Sequence, residues 1–174
     1  MTVRVIVRES AGRDADRALL AEFGTVTQVC PDCGGDHGRP VVAEPGRWVS
    51  LSRSGGLVAV AFSAAGPVGV DLESRAAVAR HPVQGLRHPD AREWTAKEAV
   101  LKADGRGLCV DPAELVVADG RLSRWDGCRV PLATVRLHHF AATDDLVGTV
   151  AWFGEPAEVE VEVDVQRRLG SARS

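Results

Sequence analysis

The sequence predicts an α+β fold arranged as two lobes. Short apolar or alternating runs of strand character are interleaved with only two stretches of helical periodicity, and each half of the chain holds one helix and several strands. A Gly-Pro break at Ala65-Gly66-Pro67 lies where the halves meet, which divides the chain into residues 1–66 and 67–174. In chain order, residues 3–7 predict a strand, and residues 14–23 a helix with Ala15, Leu19 and Leu20 on one side and Asp14 as its N-cap. Residues 30–40 form a turn-rich loop punctuated by Pro31, Gly34, Gly35, Gly38 and Pro40. Strands over 48–51, 57–62 and 68–73 follow, separated by Ser54-Gly55-Gly56 and Ala65-Gly66-Pro67, and read as a small antiparallel meander. A helix over 90–103 is stopped by Gly105 and Gly107, and strands are expected over 115–118, 122–125, 134–140, 146–153 and 157–165. The last alternates Glu158, Glu160, Glu162 and Asp164 with Val159, Val161, Val163 and Val165, a strand buried on one face with acids outward.

A chain of 174 residues can bury roughly two thirds of its unfolded surface. Its 45% hydrophobic and 26% charged residues exclude a disordered or fibrous reading. The longest unbroken apolar run, residues 57–62, is far below the roughly 18 residues a membrane span needs, and Met1-Thr2-Val3-Arg4 does not open a basic leader. A soluble, cytoplasmic protein with no membrane partner is expected. The net charge of −3 argues against a nucleic-acid partner, which demands clustered positive charge. Cys30, Cys33, Cys109 and Cys128 read as thiols. Of 21 basic residues, 19 are Arg; the two lysines are Lys97 and Lys102, in one segment. A compact ammonium serves where a guanidinium fork is too wide, as beside a phosphate.

In an extended strand Val68, Val70 and Leu72 share one face, and Gly69, Asp71 and Glu73 the other. Two adjacent carboxylates stay ionised together most easily around a cation, and hard oxygen donors suit magnesium. A solvated strand face carries the same pattern, so the strand alone does not define a site. On the helix, Trp94, Glu98 and Lys102 follow i, i+4, i+8 spacing, with Lys97 beside the row. Glu98 can complete the acid set or act as a base, and Lys102 can meet a phosphate; a Glu-to-Lys pair one turn apart is also an ordinary surface ion pair.

Together, Gly69-Val70-Asp71-Leu72-Glu73 and the run from Trp94 to Leu108, containing Lys97-Glu98-Ala99, Lys102 and Gly105-Arg106-Gly107-Leu108, resemble the two signatures of 4'-phosphopantetheinyl transferases, G-x-D-x-E and W-x-x-K-E-A-x-x-K-x-x-G-x-G-L. Asp14-Ala15-Asp16-Arg17-Ala18-Leu19-Leu20, His37-Gly38-Arg39-Pro40 and Ser50-Leu51-Ser52-Arg53-Ser54-Gly55 are similar to the coenzyme A-binding helix, loop and strand of the larger, monomeric Sfp-type members. The resemblance spans residues 14–153. It implies two α+β lobes related by a pseudo-twofold axis, the N-terminal one on the adenosine-phosphate side of coenzyme A and the C-terminal one carrying metal and catalytic residues. It also implies transfer of phosphopantetheine to a serine of an acyl or peptidyl carrier protein by a monomer. Asp71, Glu73 and Glu98 would hold Mg2+; Glu98 would take the serine proton; Lys102 and Lys97 would face the phosphates; Arg17, Arg39, Ser52 and Arg53 would bind the rest of coenzyme A.

This chain departs from the family pattern in three places. Arg53 stands where the family strand carries His, only 20 residues separate Glu73 from Trp94, and the stretch before Asp14 is short. The 20-residue segment holds Pro82, Gly85 and Pro89, which break helices, and the resemblance implies that this region helps dock the carrier. These departures bear on affinity and partner choice, with Arg75, Arg80, Arg87 and Arg92 available to an acidic carrier helix. Two other readings stand beside the transferase: a non-catalytic homologue that binds coenzyme A or a carrier, and a small zinc-stabilised interaction module suggested by Cys30, Cys33 and His37. Cys109 and Cys128, 19 residues apart, do not supply the close second pair of a structural zinc site, so the loop reads first as a turn that presents Arg39. His81, His88, His138 and His139 have no metal spacing with the acids.

Overall fold

A computed structural model describes residues 1–30, 33–80 and 90–165. Strand β1 (Thr2–Glu9) leads to helix α1 (Arg13–Ala21), then a short hairpin of β2 (Val26–Gln28) and β3 (Pro40–Val42), then β4 (Trp48–Ser54) and β5 (Leu57–Ser63). The second half repeats the order: β6 (Val68–Ser74), a short α2 (Arg75–Arg80), the long α3 (Ala91–Asp104), a hairpin of β7 (Val116–Ala118) and β8 (Arg121–Arg124), then β9 (Val135–Ala141) and β10 (Leu146–Phe153). A last strand, β11 (Glu158–Asp164), closes the described chain. The class is α+β. No helix among the described residues is long and apolar enough to cross a membrane.

The main sheets have orders β11-β1-β5-β4 and β6-β10-β9, so in each the last long strand of its half sits between the other two. The meander expected from β4, β5 and β6 does not form: β5 pairs with β1 on its second edge, while β6 pairs with β10 in the other sheet. Gly66, at φ 141, turns the chain between β5 and β6, and a side chain there would collide with the Phe153 carbonyl. Nor is Asp14 the N-cap of α1. Gly12 holds that position at φ 108, without a side-chain cap, and Asp14 lies in the first turn.

Strand periodicity places the core. Val3, Val5 and Val7 of β1 point with Val68, Val70 and Leu72 of β6 and Leu146, Val150 and Trp152 of β10 into one cluster between the sheets. Ile6, on the other face of β1, packs with Leu19 and Leu20 of α1 and with Phe23 just beyond it. The third cluster joins α3 through Ala99, Val100, Leu101 and Ala103 to Leu115, Leu122, Trp125, Ala151 and Phe153. β11 pairs parallel with β1, and Glu160 and Glu162 meet Arg4 and Arg8 across the strands.

Where β4 and β6 meet as facing edges, serine hydroxyls stand in for a backbone ladder. The Val70 N–H donates to Ser50 Oγ at 3.0 Å and the Leu72 N–H to Ser52 Oγ at 3.3 Å. This seals two sheet edges that otherwise expose unpaired donors.

Candidate active site

Three elements converge here because each is specified locally. β6 alternates, so its apolar residues enter the core while Gly69, Asp71 and Glu73 face α3. α3 starts at Asp90, whose carboxylate accepts the Arg92 N–H at 2.9 Å, and ends at Gly105, in the left-handed region at φ 90. Gly69 lets α3 lie against the strand, since a Cβ there would sit 2.9 Å from the Lys102 Cβ and would strike the Ala99 carbonyl. Below the helix, Thr149 Oγ1 lies 2.8 Å from both Thr95 Oγ1 and His139 Nδ1, a buried polar bridge from β10 to α3. Burial first, then the Arg92 charge, hold the His139 imidazole below its ordinary pKa.

The result is a knot of three carboxylates and one ammonium. Lys102 Nζ donates to Asp71 Oδ1 at 2.6 Å, to the Val70 carbonyl at 3.2 Å and to Ser52 Oγ at 3.4 Å, and lies 3.6 Å from Glu98 Oε2. Ser52 Oγ donates to Asp71 Oδ1 at 2.9 Å, and Ser54 Oγ to Glu73 Oε2 at 3.2 Å. The alternating serines of β4 thus reach the alternating acids of β6. Asp71 is 1% exposed, and among the described residues no donor reaches its Oδ2.

Charge is out of balance. Burial, then Asp71 and Glu73, push the Glu98 carboxyl to about 7, against the opposing pull of Lys102. Glu73 is raised by burial and by Asp71, with the Ser54 hydrogen bond and Lys102 offsetting part of the rise. Burial works to strip the Lys102 proton, but Asp71 and Glu98 outweigh it and hold the ammonium above its ordinary range. Carboxylates are the hard oxygen donors a divalent ion takes, but among the described residues Asp71, Glu73 and Glu98 do not all bring their oxygens within 4.8 Å of one another, so an ion held by all three would have to draw them together.

Beside this knot opens a cleft of about 300 Å³, lined by Arg39, Arg53, Lys102, Arg106, His37 and Gln28 among others, with no acid among the described residues of its wall. Lys102 belongs to both. Arg39 lies against the C-terminus of α3, its guanidinium where a Cβ on Gly105 would fall, and φ 90 at that position favours glycine. Arg53 is anchored by an ion pair to Asp16 of α1, itself 1% exposed and bonded by the Ser10 hydroxyl. Arg106 was not singled out in the sequence: it pairs with Asp104, donates to the Gly127 carbonyl at 2.8 Å and lies over the Trp125 ring at 5.0 Å. Its position between Gly105 and Gly107, just past the helix, was the available signal.

Other candidates are placed elsewhere. Arg17 pairs with Asp36 and with Asp14, outside the cleft wall. Lys97 is 3% exposed, and its ammonium meets Glu93 one turn earlier, at 2.9 Å. Ser52 bonds to groups of the protein itself, as described above. Cys30, Cys33 and His37 come together, their ligand atoms all within 4.8 Å of one another. Arg75, Arg80 and Arg92 flank the segment 81–89; Arg87, His81, His88, Pro82, Gly85 and Pro89 lie outside the described residues.

No protein-family model matches the chain, and no curated protein matches it.

Proposed function

We propose that this protein transfers the 4'-phosphopantetheine group of coenzyme A to a serine hydroxyl of an acyl or peptidyl carrier protein, with magnesium, releasing 3',5'-bisphosphoadenosine. The observation that carries the reading is the junction at Lys102. The same ammonium meets Asp71 and Glu98 and lines a cleft whose charged residues, among those described, are basic. A pyrophosphate lying across that junction meets an ion-binding acid set on one side and guanidinium groups for its further phosphates on the other. The repeated order of strand, helix, hairpin and two strands supports two lobes, 1–66 and 67–174, related by a pseudo-twofold axis.

In the proposed reaction the carrier serine Oγ bonds to the β-phosphorus of coenzyme A as that phosphorus parts from the oxygen bridging it to the adenosine phosphate. The serine proton passes to Glu98, directly or through one water, and the bridging oxygen leaves with 3',5'-bisphosphoadenosine. A positioned carboxylate is a competent general base. Lys102 neutralises the phosphate oxygens beside the breaking bond, and Arg39, Arg53 and Arg106 hold the adenosine phosphates so that attack is in line. Magnesium, when bound to Asp71, Glu73 and Glu98, supplies charge neutralisation for the pyrophosphate.

Incubation with coenzyme A, magnesium and a panel of unmodified carrier proteins, read by intact mass, tests this. One added phosphopantetheine on a carrier is expected; no addition on any carrier, with calorimetric binding of coenzyme A retained, would select the non-catalytic homologue instead.

A further inference from the structure

We propose that Cys30, Cys33 and His37 bind one zinc ion, and that this ion holds the Arg39 wall of the cleft in place. Both thiols sit outside disulfides, and the described chain winds them onto one point. The Cys30 N–H donates to the Gly35 carbonyl at 2.7 Å and the Gly34 N–H to the Cys30 carbonyl at 2.9 Å. The Gly35 N–H donates to Cys33 Sγ at 3.4 Å, a backbone donor aimed at the sulfur. Cys33 Sγ and His37 Nε2 lie 3.0 Å apart. Tetrahedral zinc, with bonds of about 2.3 Å to sulfur and 2.0–2.1 Å to nitrogen, sets its ligands roughly 3.5 Å from one another. The Cys33–His37 separation lies just inside that value and no pair exceeds 4.8 Å, so binding requires small side-chain adjustments and no refolding of the loop.

The loop's glycines are consistent with so tight a turn. Gly34 has φ 70, and a Cβ on Gly35 would stand 3.1 Å from the His37 ring and 3.2 Å from Cys33 Sγ. Thiolate and imidazole ligands select zinc over magnesium, so this site and the carboxylate knot do not compete for one metal. The described residues supply three ligands, one short of a tetrahedral set. Because Asp36 is engaged by Arg17 and Arg13, it is not the fourth ligand in this arrangement.

The position matters more than the motif. β2 ends at Gln28 and β3 begins at Pro40, so the three ligands span the connection of this hairpin. Gln28, His37, Gly38 and Arg39 all line the cleft, and Gln28 Nε2 donates to the Gly38 carbonyl at 3.0 Å. Arg39 stands two residues from a ligand. A metal at this loop therefore fixes the backbone that presents a guanidinium to the phosphate side of the cleft. That consequence rests on the cleft as an anion site; zinc binding itself does not.

The test uses the full chain, expressed untagged and purified without added metal. Elemental analysis is expected to find one equivalent of zinc, and the cobalt-exchanged protein to show tetrahedral ligand-field bands with thiolate charge transfer. Cys33→Ser and His37→Ala should each lower the zinc content while magnesium binding, read by calorimetry, persists. Zinc well below one equivalent together with a featureless cobalt spectrum overturns the site, as does a Cys30–Cys33 disulfide in the protein as isolated. Removing zinc with a soft chelator under excess magnesium should weaken binding of 3',5'-bisphosphoadenosine several-fold; unchanged affinity overturns the link to Arg39. Neither metal readout uses a carrier protein or turnover, so failure of the transferase reading leaves the zinc result standing.

Discussion

Gly69 of β6 lies so close beneath Ala99 of α3 that a methyl group at position 69 would drive into the Ala99 carbonyl oxygen. The neighbouring obstacles are the Ala103 backbone nitrogen and the Lys102 Cβ, so relief requires moving the helix and not merely a side chain. Overpacking of this kind destabilises by about 1–3 kcal/mol. Gly69→Ala should therefore lower the urea midpoint and, by lifting Glu98 and Lys102 from Asp71, abolish transfer even where the protein remains folded. A variant with unchanged midpoint and full transfer would mean that the approach of α3 to β6 is not what sets the site.

Lys102 stands in for a cation among the acids. Lys102→Met keeps the bulk of the side chain and leaves Asp71 Oδ1 with Ser52 alone. Removing one partner from a buried pair is strongly destabilising, and here a loss of about 3 kcal/mol is expected in protein stripped of divalent ions. Added magnesium should recover much of it, because an ion on the carboxylates replaces the missing charge. Chemical denaturation with and without magnesium measures both; a variant as stable as the parent without metal would show the pair to be energetically idle.

Much of this site was legible because its signals are local. Alternation in β6 separates Asp71 and Glu73 from the core, and helical spacing in α3 aligns Glu98 with Lys102, so chemistry could be read from each segment before their contact was seen. What escaped depends on partners far away in the chain. β2 and β3 have three residues each, too few for periodicity to register, and each makes sense only against the other. β6 leaves β5 because β10, some 80 residues later, supplies its partner edge. The serine contacts between β4 and β6 are tertiary as well, since nothing in Ser50-Leu51-Ser52 announces that its hydroxyls will accept the backbone donors of another strand. Arg106 follows the same rule: its guanidinium is turned into the cleft wall by Asp104, Gly127 and Trp125.

Arg39 separates binding from chemistry. A guanidinium hydrogen-bonded to phosphate contributes about 1.5–3 kcal/mol, so Arg39→Ala should weaken 3',5'-bisphosphoadenosine roughly 10- to 100-fold in calorimetry. At saturating coenzyme A the transfer rate should change little, because Arg39 is not among the groups in contact with the acid knot. The loss should shrink as salt is raised, since charge on a solvent-open cleft is screened. An unaltered affinity would remove the cleft from the substrate-binding account.

Glu98 makes stability and activity respond to pH in opposite senses. In the metal-free protein its carboxyl rises from an ordinary value near 4.5 to about 7, through burial first and the charges of Asp71 and Glu73 next. The folded state therefore binds this proton more tightly than the unfolded chain. The stabilisation is fully present below pH 4.5 and is lost as pH rises through about 7, a change of about 3 kcal/mol. Protein treated with chelator should accordingly melt at progressively lower temperature from weakly acidic to weakly alkaline buffer. Magnesium should oppose the decline most strongly at the alkaline end, where all three acids are ionised and repel one another. Glu98→Gln, which cannot ionise, should flatten the slope and at the same time abolish transfer, whereas the parent's transfer rate climbs as the base ionises. A variant that keeps the slope would assign it to another group, and one that keeps transfer would take the serine proton away from Glu98.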